Sequence, residues 1–121
     1  MGDRNKTVET RKDVRNVLLE CLDILLKSIP IGHPVKLRMA KIKDCYGSCD
    51  LRNTKRDGVH FLITIYPPEE PVSKDSLELC LETLLHEYAH AISWYLASTD
   101  GGHGEAWACA YASCYRNLHG D

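Results

Sequence analysis

Residues 84–94 read LLHEYAHAISW, with His86 and His90 four positions apart and Glu87 directly after the first. On a helix, side chains at i and i+4 leave the same face, close enough for two imidazoles to reach one cation. Glu87 lies about 100° further round at 3.6 residues per turn, so it stands beside such an ion and does not bind it. There it is placed to take a proton from a metal-bound water, as the general base of an H-E-x-x-H site. The chemistry suggested is metal-assisted hydrolysis, with zinc favoured among divalent ions by imidazole ligation. A solvated pair of histidines is the plain alternative. Against it, the segment is amphipathic, with Leu77, Cys80, Leu81, Leu84, Tyr88, Ile92 and Tyr95 on the side away from the two imidazoles.

Two imidazoles leave a catalytic zinc one protein ligand short, because such an ion takes three and keeps a position for water. The remaining histidines are His33, His60, His103 and His119. His103 is the preferred third ligand. It follows the helix that carries the pair, in DGGHGE, where glycines allow a sharp turn back and a following helix anchors the loop. Glu105 is the runner-up, its ordinary role being a first-turn carboxylate that favours the helix dipole.

Several elements must position these groups. A helical stripe (Val14, Val17, Leu18, Cys21, Leu22, Leu25) predicts a first helix over about 7–27, ended by IPIGHP. A sheet is expected over about 35–66: VKLRMAKIK alternates as a half-buried strand, CYGSCDLR forms a second, and VHFLITIY a third. Asp57-Gly58 marks the hairpin turn between the last two. PPEEP stops the third strand. Ser73 or Asp75 then caps a helix over about 74–97, with Glu78 three residues after Asp75 suggesting a capping box. STDGGHG breaks that helix and a last one covers about 104–118. The expected class is α+β: helix, three-stranded antiparallel sheet, active-site helix, C-terminal helix, in one domain spanning 1–121.

Composition removes several alternatives. The chain has 121 residues, 15 basic and 17 acidic, for a formal charge of −2, so charge does not support nucleic acid or anionic membrane as a partner. No apolar run approaches the ~18 residues of a membrane span. The charged start MGDRNKTVETRKDVR does not read as a secretory signal, which makes the cytoplasm the expected compartment and free thiols the expected state of the six cysteines. Cys45 and Cys49 form a C-x3-C without a second pair, a weak basis for a structural zinc site. The basic turn at residues 52–56, RNTKR, reads as a solvated hairpin tip in preference to a phosphate contact.

HEYAH followed by HGEAW resembles the SprT-like zinc metallopeptidases, whose pattern is H-E-x-x-H, a short loop, then H-G-x-x-F/W opening another helix. The resemblance runs from about Tyr46 to Arg116. It implies a zincin-like minimal metallopeptidase domain, His86, His90 and His103 as zinc ligands, Glu87 as catalytic base, and Trp107 packing the last helix on the central one. The compact form is similar to small members encoded by bacteriophages, for which the compartment is the host cytoplasm. Larger relatives carry a C-terminal zinc ribbon or another DNA-binding segment, for which this sequence shows no counterpart.

The expected activity is zinc-dependent peptide hydrolysis on a peptide or protein substrate, which adds as a further strand beside VHFLITIY. Tyr111, on the last helix, is a candidate for stabilising the oxyanion, although a packed aromatic is its ordinary role. Two other classes remain open: a zinc-binding interaction module without hydrolysis, and a protease brought to DNA by a partner.

Overall fold

A computed structural model of the protein describes residues 8–96 and 103–119. Helix α1 spans Arg11–Ser28 and starts where Thr10 can cap it: the Thr10 hydroxyl accepts from the Asp13 N–H, and the Asp13 carboxylate accepts from the Thr10 N–H. This reciprocal pair fixes the start at Arg11, several residues later than periodicity alone suggests. Val14, Leu18, Leu22 and Leu25 form its buried stripe.

The sheet contains β1 (Val35–Met39), β2 (Gly47–Thr54) and β3 (Gly58–Ile65) in the order β1-β3-β2. β2 and β3 make the expected antiparallel hairpin, with Thr54 opposite Gly58, and Gly58 takes φ of 66°, a left-handed conformation that glycine adopts without strain. β1, however, pairs parallel to β3, from Val35 opposite Phe61 to Met39 opposite Ile65. The sheet is therefore mixed, and the expectation of an all-antiparallel sheet is wrong. So is the expectation that the third strand is an edge. β3 is central, and the edges are β1 and β2.

The physical reason lies in β3 itself. Phe61, Ile63, Thr64 and Ile65 are all buried, so this strand needs cover on both faces and a partner on each side. The hairpin supplies one partner. The segment 40–46 carries the chain from the end of β1 to the start of β2 on the opposite edge.

Helix α2 spans Lys74–Ile92 and is capped by Ser73, whose side chain accepts from the Ser76 N–H. Asp75 lies inside the first turn, so the box with Glu78 does not form. The helix ends sooner than 97: the Ser93 hydroxyl donates to the Ala89 carbonyl, and a 3-10 turn over Trp94–Leu96 follows. Residue 97 lies outside the described residues. Helix α3 spans Glu105–His119.

One core joins these elements. Val14, Leu18, Leu22 and Leu25 of α1, Ile63 and Ile65 of β3, Cys80, Leu84, Leu85 and Tyr88 of α2, and Cys114 of α3 form a single apolar cluster. Tyr88 is fully buried, and its hydroxyl donates to the Ile29 carbonyl at 2.6 Å, tying the end of α1 to the middle of α2. Among the described residues no helix is long and apolar enough to cross a membrane.

Candidate metal centre

His86 and His90 project from one face of α2, and His103 stands two residues before α3. Their Nε2 atoms form a triangle: 3.2 Å from His86 to His90, 3.1 Å from His90 to His103 and 3.1 Å from His103 to His86. This is not a hydrogen-bonded cluster. In a neutral imidazole a given nitrogen either donates or accepts, so three atoms cannot pair donor to acceptor around a triangle. Three convergent lone pairs suit a cation instead. Imidazole nitrogens at ~2.0–2.1 Å around a tetrahedral zinc lie about 3.3 Å apart, close to the observed spacing, so the residues present fit zinc. Among the described residues this triad is the one group of His, Cys, Asp or Glu arranged to hold a metal ion.

The surroundings favour the neutral form of the two helical imidazoles. Burial lowers the pKa of His86, helped by the charge of His103. His90 is pushed down to about 4, chiefly by burial and then by its two neighbours. Trp107 supports the site from α3, with ring centroids 5.0 Å from His86, 5.7 Å from His90 and 5.0 Å from His103. Its indole N–H donates to the His86 carbonyl at 3.2 Å, so α3 is fastened to the turn of α2 that carries the two helical histidines.

Glu87 is only 7% exposed, and burial raises its pKa to about 7, with the charge of Asp50 adding to the shift. Glu87 and His86 line one cleft of about 400 Å³, between α2 and the start of β2. Gly47 makes that cleft possible. A Cβ there would run into Thr83 Cγ2, sit 3.0 Å from the Thr64 carbonyl oxygen and 3.4 Å from Glu87 Cγ. The edge strand thus lies directly over the catalytic-looking turn, and Cys49 faces it closely enough that Glu87 helps raise its thiol to about 12, after burial.

The other candidates fall elsewhere. His33 contacts the Tyr95 hydroxyl, His60 bonds the Gly58 carbonyl, and His119 lies against Tyr115. Glu105 is exposed in the first turn of α3 and is not part of the triad. Cys45 and Cys49 are free thiols. The glycines expected to turn His103 back, Gly101 and Gly102, lie outside the described residues. Tyr111 does line the cleft, but its hydroxyl donates to Glu82, and burial with that carboxylate raises its pKa to about 12. Leu79 and Thr83, which helical periodicity puts on the line of the two imidazoles, also line the cleft, as do Tyr46, Gly47 and Glu82, which no motif spacing marks. For Gly47 a signal existed, a glycine at the start of a strand, which often marks close backbone approach.

An α+β fold that presents three convergent imidazoles, with a buried carboxylate in the adjoining cleft, defines a metal-site domain of metallopeptidase-like design. The SprT-like family model matches residues 26–119, and the chain belongs to the SprT-like family. Comparisons with curated proteins and with solved structures returned no match.

Proposed function

We propose that this chain is a zinc-dependent metallopeptidase with a zincin-like fold over residues 1–121, in which His86, His90 and His103 hold the metal and Glu87 is the general base. The observation that carries the reading is the triangle of Nε2 atoms at 3.1–3.2 Å, with Glu87 in the adjoining cleft. When bound, zinc lowers the pKa of its water towards ~7 and polarises a carbonyl.

The protein's own groups do the rest. Glu87, held near neutrality by burial, takes the proton of the attacking water and returns it to the departing amine. The cleft orients the substrate. β2 pairs with β3 alone among the described residues, so its outer edge is free to take an extended peptide through backbone hydrogen bonds. That role falls to β2, since β3 is enclosed. Recognition through the backbone makes peptide or protein the substrate class.

Glu87→Gln tests the reading. Zinc content is expected to stay at one per chain, while turnover of a mixed peptide library falls by about 10²–10⁴-fold, the usual worth of a general base. If wild type and variant cut every peptide alike, Glu87 is not the base; if neither cuts any, the chain is a binding module; either result overturns the proposal.

A further inference from the structure

The cleft continues past the metal centre. Tyr46, Leu79 and Thr83 line it and also line a second cavity of about 170 Å³, closed by Ile65 and Tyr66. Three large apolar side chains are open at this one concavity: Tyr46 is 64% exposed, Leu79 44% and Tyr66 36%. Exposed apolar groups gathered around a concavity mark a contact surface. The shared walls identify the occupant, because a peptide lying at Glu87 along β2 must pass over Tyr46 and Leu79.

We infer that this second cavity is a substrate subsite, taking one aliphatic or aromatic side chain two to three residues C-terminal to the scissile bond. The inference rests on the peptidase reading above. Its distance follows from α2, where Leu79 and His86 are seven residues apart, about 10.5 Å at 1.5 Å per residue. An extended chain covers that span in about three residues at ~3.3 Å each.

Its direction follows from β2. Glu87 lies beside Gly47, while Tyr46 comes before Gly47 and forms the last rung of the ladder, its carbonyl accepting from the Tyr66 N–H at 2.8 Å. A peptide antiparallel to β2 therefore meets Glu87 first and Tyr46 afterwards. Glu69 also lines this cavity, and its carboxylate disfavours an acidic side chain.

Two measurements test the subsite. In the first, zinc-loaded wild type digests a randomised peptide library and the new termini are sequenced. Leu, Ile, Met, Phe or Tyr is expected to be enriched about tenfold over Gly and Asp at the second or third residue after the cut, as partial burial of one apolar side chain supplies. The enrichment should fall towards unity in Leu79→Ser and in Tyr46→Ser, whose side chains are both too exposed for the core to depend on them.

In the second, zinc-loaded Glu87→Gln binds short Gly/Ser peptides with and without a single leucine, and the leucine peptide is expected to bind about tenfold tighter, an advantage lost on adding Leu79→Ser. No apolar preference in both measurements, or a preference that survives both Ser substitutions, overturns the subsite. A leucine preference in binding without any cleavage by wild type supports the subsite and counts against the peptidase reading.

Discussion

His103 carries more of the argument than either histidine of the helical pair, because it comes from outside α2 and closes the triangle of nitrogens. His103→Ala is expected to weaken zinc binding by more than ~100-fold, since even outer-shell partners of a metal ligand are worth 10–100-fold. Metal analysis after dialysis should find zinc near zero in this variant and unchanged in Glu105→Ala, whose carboxylate stands outside the triad. Equal zinc in His103→Ala and wild type would remove the third ligand. Glu87 makes a second prediction, read on metal-free protein. Its folded pKa of about 7 lies above the ordinary carboxylate value, so the folded state binds this proton more tightly than the unfolded chain does. The stabilisation is present below the unfolded pKa and is lost as pH rises through about 7. Chelated wild type should thus lose about 1–3 kcal/mol more than chelated Glu87→Gln between pH 5 and pH 8. Parallel melting curves for the two across that range would contradict it. On the proposed reading, the carboxylate serves the reaction at the expense of the fold, a trade common at active sites.

β2 and α2 approach so closely at Gly47 that a methyl group has no room, and this sets the width of the cleft. Gly47→Ala should cost about 1–3 kcal/mol through overpacking. Adding Thr83→Ser should recover much of that loss, because it removes the colliding Cγ2 and keeps the hydroxyl that donates to the Leu79 carbonyl at 2.7 Å. Chemical denaturation of the single and double variants checks it, and additive losses would show that the contact is not the cause. Tyr88→Phe should cost about 1–3 kcal/mol by leaving the Ile29 carbonyl without its donor. These contacts also show where sequence reading stops. The stripe of α1, the Asp57-Gly58 turn and the pair on α2 are local patterns, with partners within a few residues, and each was legible. The direction of β1 was not, because alternation of Val35, Leu37 and Met39 looks the same in a parallel and an antiparallel pair. The β-branched and apolar residues Phe61, Leu62, Ile63 and Ile65, which fall on both faces of β3, do carry a signal for a central strand, against the expectation of an edge. The convergence of His86, His90 and His103, with Glu87 in the adjoining cleft, was legible from the motif and the residues after it. The cleft wall was not: Tyr111 meets Glu82, and Gly47 meets Thr83, across long stretches of chain that no periodicity connects.

The candidate metal site also links parts of the molecule that the core joins unequally. α1, β3 and α2 supply most of the buried apolar cluster, whereas α3 contributes only Ala110 and Cys114 as buried side chains. Its N-terminal end is held at α2 by Trp107 on the His86 carbonyl and by His103 beside the helical pair. A bound ion that takes both His103 and the α2 histidines therefore acts as a clasp between α2 and α3. Binding to the folded state alone stabilises it by RT ln(1 + [L]/Kd), about 4 kcal/mol at a thousandfold excess over Kd. Not all of the chain should feel that loss equally on chelation, because local opening follows local burial. Amide exchange in α3, from Glu105 onward, should speed up by about 10-fold or more when the metal is removed, while Leu18, Ile63 and Leu84 keep most of their protection. His103→Ala should reproduce the fast exchange of α3 with zinc present, which separates the clasp from any general effect of the chelator. Exchange that rises evenly through α1, β3 and α3 would mean instead that the domain opens as one unit and that the ion adds only to global stability.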